Sequence, residues 1–314
     1  MSIVFSCCIP AKDRNDPKLE DLIDSIRAQD FPQDQIEIIV IDGEECGDPE
    51  QAKAMAIRRA TGEICVMFCA DNYVYGKFVF REIYKLLSRI DLTGAYSIHY
   101  ALNPNDNSLN RYFSLIGNND PICFYLEKCD RKPWYENLEK EVTFDVVCWP
   151  FDDAKLPSLG DNGFFVKHHL LLEHSDLDHY YPMDVYQDMN IKHKAMSFAR
   201  INYSYLWHRT SDNLISFLIK RYKYARDLYC DRNDRRWRMV DTKEDKLRLC
   251  WFIISTITIL PALAISIKGF LKIRDFSWFW HWPVCFGFLI TYTILALRNW
   301  VKHGHLFQIR INNA

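Results

Sequence analysis

The first ninety residues alternate short apolar runs with helical patterns, and that order leaves few folds open. Ile3 to Ile9 is a continuous apolar run, suited to a strand buried on both faces. A polar turn follows, and Asp16-Pro17 then opens a helix whose Leu19, Leu22, Ile23 and Ile26 recur at helical spacing. Ile36 to Ile41 predicts a second strand. Asp48-Pro49 starts a second helix, stopped by Thr61-Gly62, and Glu63 to Phe68 predicts a third strand. A β-α-β-α-β order implies a parallel sheet with right-handed crossovers, whose ligands sit beyond the carboxyl ends of the strands.

Two carboxylates stand at that edge. Asp42 follows the second strand and Asp71 the third, at equivalent positions. A lone Asp after a strand is most often a turn former or helix cap, but a matched pair suits a phosphorylated ligand. A carboxylate beside a diphosphate makes physical sense when a divalent cation lies between them. No G-x-x-x-x-G-K-[ST] loop and no G-x-G-x-x-G follows the first strand, which argues against an ordinary ATPase or a dehydrogenase.

Charge divides the chain. Residues 1–200 hold 21 Lys and Arg against 33 Asp and Glu, a balance of −12, while residues 201–314 hold 18 against 8, a balance of +10. The net charge of −2 hides both. In the basic part, Leu249 to Ile267 is a run of 19 residues without a charged side chain, which as one straight helix covers about 28 Å. Phe276 to Leu297 is a second run free of Asp, Glu, Lys and Arg, and it begins with a Trp-rich belt. Buried core helices explain such runs less well than a transmembrane or re-entrant hairpin over 249–300. The basic residues before it outweigh Lys268, Lys272 and Arg274 in its loop, so the positive-inside rule places both ends, and the tail 301–314, in the cytoplasm.

The N-terminal apolar stretch is too short for a signal peptide and runs straight into Lys12, Asp13 and Arg14. Eleven cysteines without a C-x-x-C pair fit a reducing compartment, with Cys7, Cys8, Cys65 and Cys69 expected as buried thiols. Ser216 to Arg238 is basic and aromatic, and Phe217, Leu218, Tyr222, Ala225 and Leu228 can share one face, the pattern of a helix in the headgroup plane. The same interleaving suits single-stranded nucleic acid, but the adjacent hydrophobic runs make lipid the simpler partner, and no nucleic acid is expected. Asn110 to Trp134 reads as too polar and punctuated for a core element, and as an acceptor-binding insertion.

Several segments together carry a family resemblance. Ile9-Pro10-Ala11, IEIIVIDG at 36–43, AIRRATGE at 56–63, Ala70-Asp71-Asn72, LGDNGFFVKHHLL at 159–171 and YYPMDVYQDM at 181–190 resemble, in order and spacing, a family-2 glycosyltransferase of the GT-A fold over roughly residues 1–225. The resemblance implies an α/β, Rossmann-like and mostly parallel catalytic domain over 1–212. An amphipathic juxtamembrane segment over 213–248 and two hydrophobic helices would follow, as in polyprenyl-phosphate glycosyltransferases.

Carried onto this sequence, the resemblance gives Pro10, Ala11, Asp13 and Asp42 to the nucleoside, with Arg58 near it, although a solvated helix face explains Lys53, Arg58 and Arg59 equally well. Asp71 matches the last carboxylate of the D-x-D motif that holds Mg²⁺ or Mn²⁺, and Asn72 adjoins it. Cys69 stands where the family has its first Asp, so one carboxylate is missing. His208 falls where relatives place a His near the phosphates and is a second candidate metal ligand beside Asp71. Asp161, Asn162 and Gly163 match the acceptor-side segment. An inverting transfer needs a base for the acceptor hydroxyl unless the acceptor is already an anion. Asp184 matches that base, with Asp188 its rival one helical turn on.

The expectation is a membrane-anchored inverting glycosyltransferase, its catalytic domain cytoplasmic. It would move a sugar from a nucleotide diphosphate donor to a lipid-linked or lipid-phosphate acceptor, with a homo-oligomer allowed. A membrane-bound nucleotidyltransferase and an inactive GT-A scaffold acting as a membrane adaptor are the alternatives.

Overall fold

The computed structural model describes residues 2–136, 143–150, 156–174, 178–193, 195–227 and 235–303. Its chain opens with β1 (Phe5–Pro10), α1 (Pro17–Arg27), β2 (Ile36–Ile41), α2 (Pro49–Arg59), β3 (Ile64–Met67), β4 (Asn72–Val74), α3 (Val79–Arg89) and β5 (Gly94–Ser97). Two helices follow, α4 (Ser108–Ile116) and α5 (Pro121–Tyr125), then β6 (Phe144–Pro150), β7 (Phe164–Lys167), α6 (His168–His174), α7 (Pro182–His193), β8 (Ala195–Ile201) and β9 (Leu206–His208). The rest is helical: α8 (Leu214–Ala225), α9 (Lys243–Thr258), α10 (Leu260–Lys272), a 3-10 turn (Phe276–Trp280) and α11 (His281–His303).

The chain divides into two compact units. One comprises Met1–Asn103, Asp130–Lys132 and Glu136–Arg209, and the other Pro104–Cys129, Pro133–Tyr135 and Thr210–Ala314.

The first unit is built on a mixed sheet of order β2-β1-β3-β7-β5-β8-β6, with a small β4-β9 sheet beside it. β1 pairs parallel with β2 and β3, and β5 with β8, while β6 and β7 run against their neighbours. Most strands therefore point one way, as the α/β pattern predicts. The two expected helix starts form as local chemistry dictates. Asp16 accepts from Lys18 N–H at 2.9 Å and Asp48 from Glu50 N–H at 2.8 Å, each followed by a proline whose missing N–H costs nothing there. Phe5, Phe80 and Phe165 meet edge to face at 4.8–5.8 Å in the core. Cys7, Cys8 and Cys65 are buried thiols as expected, and burial pushes the Cys7 and Cys65 thiols up. Cys69 departs from that expectation: it lies beyond β3 and is only half-buried.

The second unit corrects three expectations. Asn110–Trp134 is not a polar excursion, because Tyr112, Phe113, Leu115 and Ile122 are buried. Polar residues and glycine mark the helix ends here: Asn107, just before the segment, caps α4, Asp120 caps α5, and Gly117 stops α4 at φ +78°. The Leu249–Ile267 run is not one straight helix. It breaks at Ile259, where φ is +66°, and α9 and α10 meet at 92°. Pro261 supplies no N–H, and its ring would strike the carbonyl of Ile257 in a continuous helix. Third, the apolar face of α8 turns inward: Phe217 lies 5.9 Å from the Phe288 ring, and Ala225 packs with Leu295 of α11. Leu228 lies outside the described residues. Among those described, one stretch, Phe276–Val301, is long and apolar enough to cross a membrane, and the bent pair α9–α10 qualifies only if taken as one span.

Glu37 on β2 ties the first strands to the turn before β3. Its carboxylate accepts from Ser6 Oγ at 2.6 Å, Thr61 N–H at 2.6 Å and Gly62 N–H at 3.2 Å. Against the upward push of burial, these bonds hold it below the usual carboxylate range. A depressed carboxyl stabilises the fold above its unfolded pKa and loses that contribution as pH falls through the folded value. Glu37→Ala should cost about 1 kcal/mol at pH 7, partial solvation keeping it at the low end. The difference from wild type in urea unfolding should shrink below about pH 4.

Candidate functional site

The carboxyl ends of β1 and β2 bring the predicted nucleoside residues into backbone contact. Ala11 N–H donates to Ile41 O at 2.9 Å, and a Cβ on Gly43 would lie 2.5 Å from Lys12 O, so only glycine lets the 10–13 loop approach this closely. Asp13 accepts from Asn15 N–H at 2.9 Å and shapes an exposed turn. Asp42 is buried. Its Oδ1 accepts from Glu44 and Glu45 N–H at 3.1 Å each, and Arg14 Nε reaches its Oδ2 at 2.7 Å. The Glu45 N–H, with the Arg14 guanidinium and the Glu44 N–H, holds the Asp42 carboxyl below the usual range.

The end of β3 gathers a second group. Asn72 Oδ1 accepts from Cys69 N–H at 2.9 Å, closing the turn that presents Asp71. Asn72 pairs with His208 across β4 and β9, and this register places His208 Nε2 at 3.3 Å from Asp71 Oδ1. Thus the two candidate metal ligands, 137 positions apart, meet through one strand pairing.

The predicted acceptor-side turn joins them. Asn72 Nδ2 donates to Asn162 Oδ1 at 3.2 Å, and Gly163 N–H donates to Met67 O at 2.8 Å at the end of β3. Lys53 Nζ donates to Asp161 Oδ1 at 2.8 Å while bonded to Glu50. Arg131 donates to Asn162 O and to Asp130 Oδ2. Gly160, at φ +108°, packs against α7, where a Cβ would fall 2.2 Å from Tyr186 Cε2. That contact seats the first turn of α7, with buried Asp184, against the Asp161 turn. Asp188 lies one turn on, half-buried.

Arg58 stands apart from these groups. It projects from the last turn of α2, 40% exposed, with Asp178 at 3.9 Å. Lys53, equally well explained by sequence as a solvated residue, is buried instead.

A divalent cation fits this donor set in one way. Asp71 offers a carboxylate oxygen and His208 an imidazole nitrogen, while no group of three or more His, Cys, Asp or Glu among the described residues could cage a metal. Such a site suits Mg²⁺ or Mn²⁺ that takes its remaining ligands from phosphate and water.

Sequence reasoning missed Arg14 and Arg131. Arg14 adjoins the 10–13 loop, so a cation beside Asp42 was readable in principle. Arg131 carries no local signal. It is enclosed by the rings of Tyr100 and Phe164 at 4.6 and 4.7 Å and of Tyr96 at 5.5 Å, which come from β5, the segment after it and β7.

Removing Arg14 should raise the Asp42 pKa only part of the way to a free carboxylate, since the Glu45 N–H remains. Carboxyl-carbon NMR titration of Arg14→Ala reads this. Lys53→Met should destabilise by about 3–5 kcal/mol, because Glu50 is left buried without its cation. Denaturant melts measure it.

The sequence matches no protein-family model and no curated protein. Solved structures show a distant likeness. Residues 1–349 of TarS from S. aureus align at 11% identity and TM-score 0.42, over 96% of this chain and 92% of that one. The same TarS fragment in complex with UDP-GlcNAc aligns at 12% identity and TM-score 0.42, over 96% and 87%. The mannosyltransferase PcManGT from Pyrobaculum calidifontis, in complex with GDP-Man and Mn²⁺, aligns at 14% identity and TM-score 0.49, over 96% and 88%.

Proposed function

We propose that the chain is an inverting glycosyltransferase that takes a sugar from a nucleotide diphosphate donor at the carboxyl ends of β1 to β3. The observation that supports this most is the joining of Asp71, His208 and the Asp161–Gly163 turn at that edge, with Asp42 and the 10–13 loop at the neighbouring strand ends. This is where ligands of parallel sheets bind.

In this reading Asp42 accepts hydrogen bonds from the base or ribose, and Pro10 to Asp13 shape that pocket. Asp71 and His208 hold Mg²⁺ or Mn²⁺, which when bound supplies positive charge to the diphosphate leaving group. Asp161 and Asn162, braced by Lys53 and Arg131, orient the acceptor side. Asp184 removes the acceptor hydroxyl proton as that oxygen bonds to the anomeric carbon. The bond from that carbon to the diphosphate breaks, and nucleoside diphosphate leaves. If the acceptor is a phosphate, no proton need be removed, and Asp184 positions it instead.

Membrane attachment through the second unit is part of the proposal, with a lipid-linked or lipid-phosphate acceptor. Its support is the apolar stretch Phe276–Val301 and the large apolar side chains exposed on α9 to α11, such as Trp251, Ile257, Leu260 and Leu297.

Incubation of the full chain with a panel of nucleotide sugars and membrane lipids, read by mass spectrometry, should yield a glycosylated lipid and nucleoside diphosphate. Release of pyrophosphate would instead favour a nucleotidyltransferase. Asp184→Asn should slow transfer to a hydroxyl by about 10²–10⁴-fold. Asp71→Ala should abolish metal-dependent donor turnover, and near-wild-type rates in both variants would sink the site assignment.

A further inference from the structure

We propose that the second unit docks into one leaflet of an anionic phospholipid bilayer from one side, with no helix crossing. This deepens the membrane reading above and rests on it. Two sets of contacts, all inside the unit, lead to it.

The first concerns the bent pair α9–α10. At the start of α9, Lys128 Nζ donates to Asp245 Oδ2 at 2.9 Å and Arg248 Nη1 meets Glu127 Oε2 at 2.7 Å. Beyond the end of α10, Asp275 receives Arg111 Nε at 3.0 Å, and Trp280 Nε1 donates to Ser108 Oγ at 2.8 Å. Both ends are thus fastened to the same short insertion, residues 104–129. The uncharged part of α9, Leu249 to Thr258, covers about 15 Å and that of α10, Leu260 to Ile267, about 12 Å. Joined at 92°, they reach well short of the roughly 30 Å hydrocarbon core. The pair dips in and returns.

The second concerns α11. Leu218 of α8 packs on Gly287, Phe217 on Phe288, and Tyr222 and Ala225 on Tyr292 and Leu295, so α8 runs alongside the middle of the uncharged stretch. α8 also carries exposed Lys220 and Lys223, and its Arg221 pairs with Asp120, which takes the Tyr292 hydroxyl at 3.0 Å. If α11 crossed a bilayer, these charges would be drawn to mid-membrane depth, where they are strongly disfavoured. α11 is long and apolar enough for a span, but the charged helix packed along it is not.

The occupant of the apolar surface follows from its chemistry. Leu247, Trp251, Ile254 and Ile257 form an exposed stripe along α9, while Ser255, Thr256, Ser266 and Ser277 are buried. A helix facing water shows the reverse order. Lys243, Lys246, Lys268, Lys272 and Arg274 flank the dip, matching anionic headgroups.

The test uses the full chain. It should float with sealed vesicles containing phosphatidylglycerol and much less with pure phosphatidylcholine. In sealed inside-out membrane vesicles from an expressing bacterium, cysteines introduced by Lys85→Cys, Lys272→Cys and Lys302→Cys are treated with a membrane-impermeant maleimide, each read against the parent chain. All three should label without detergent. Protection of Lys272→Cys would show that α9–α10 crosses, and protection of Lys302→Cys that α11 does; either overturns the inference. Failure to float with either vesicle, with donor turnover intact, removes membrane docking altogether and leaves the transferase reading standing.

Discussion

A guanidinium sealed among aromatic rings holds together the edge on which the candidate site stands. Arg131 is 2% exposed, and its charge is met by Asp130, by the Asn162 carbonyl and by the ring faces of Tyr96, Tyr100 and Phe164. A buried cation must have partners in fixed geometry, because leaving one unmatched costs several kcal/mol. The same requirement that keeps Arg131 in place therefore keeps the Asp161–Gly163 turn in place. Lys53 repeats the device from α2, with Glu50 and Asp161 as its partners.

This bracing suits a site whose own donors are few. Asp71 and His208 lie 3.3 Å apart, and no group of three or more His, Cys, Asp or Glu that could hold a metal forms among the described residues. Cys69 points its thiol toward the Asp161 carbonyl at 3.7 Å, inside the turn network. A cation held by that pair would draw most of its counter-charge from a phosphorylated ligand, and the rigid turn beside it would keep the pair in place.

The helical unit follows a different rule. Several of its polar side chains point inward and are paired there: Tyr112 and Tyr125 hydroxyls meet His281 at 2.9 and 3.2 Å, and Trp282 Nε1 donates to the Thr256 carbonyl at 2.9 Å. Many leucines and isoleucines of α9 to α11, such as Leu247, Ile257, Leu260 and Leu297, face out, while Leu109, Leu115, Ile122 and Leu295 are buried. Hydrogen bonding and close small-residue packing, as at Gly269 against Trp278, add to the burial of Tyr112, Phe252 and Phe288 in this unit.

By itself the sequence determined what local chemistry decides. The strand and helix order of the first seventy residues, the Asp-Pro helix starts and the opposite charge of the two regions were all legible, because each depends on neighbours within a few residues. What only the tertiary structure decided depends on partners far along the chain. Strand pairing, not spacing, brought His208 to Asp71, and three separate segments closed around Arg131. The burial of Lys53 waited on Asp161. The polarity of 110–134 misled because caps and turn residues were mistaken for solvent exposure. The Leu249–Ile267 run misled because hydropathy counts apolar residues and is blind to the backbone break at Ile259. Apolar length measures how much surface seeks a dry neighbour, and only the packed neighbours show which surface is already covered.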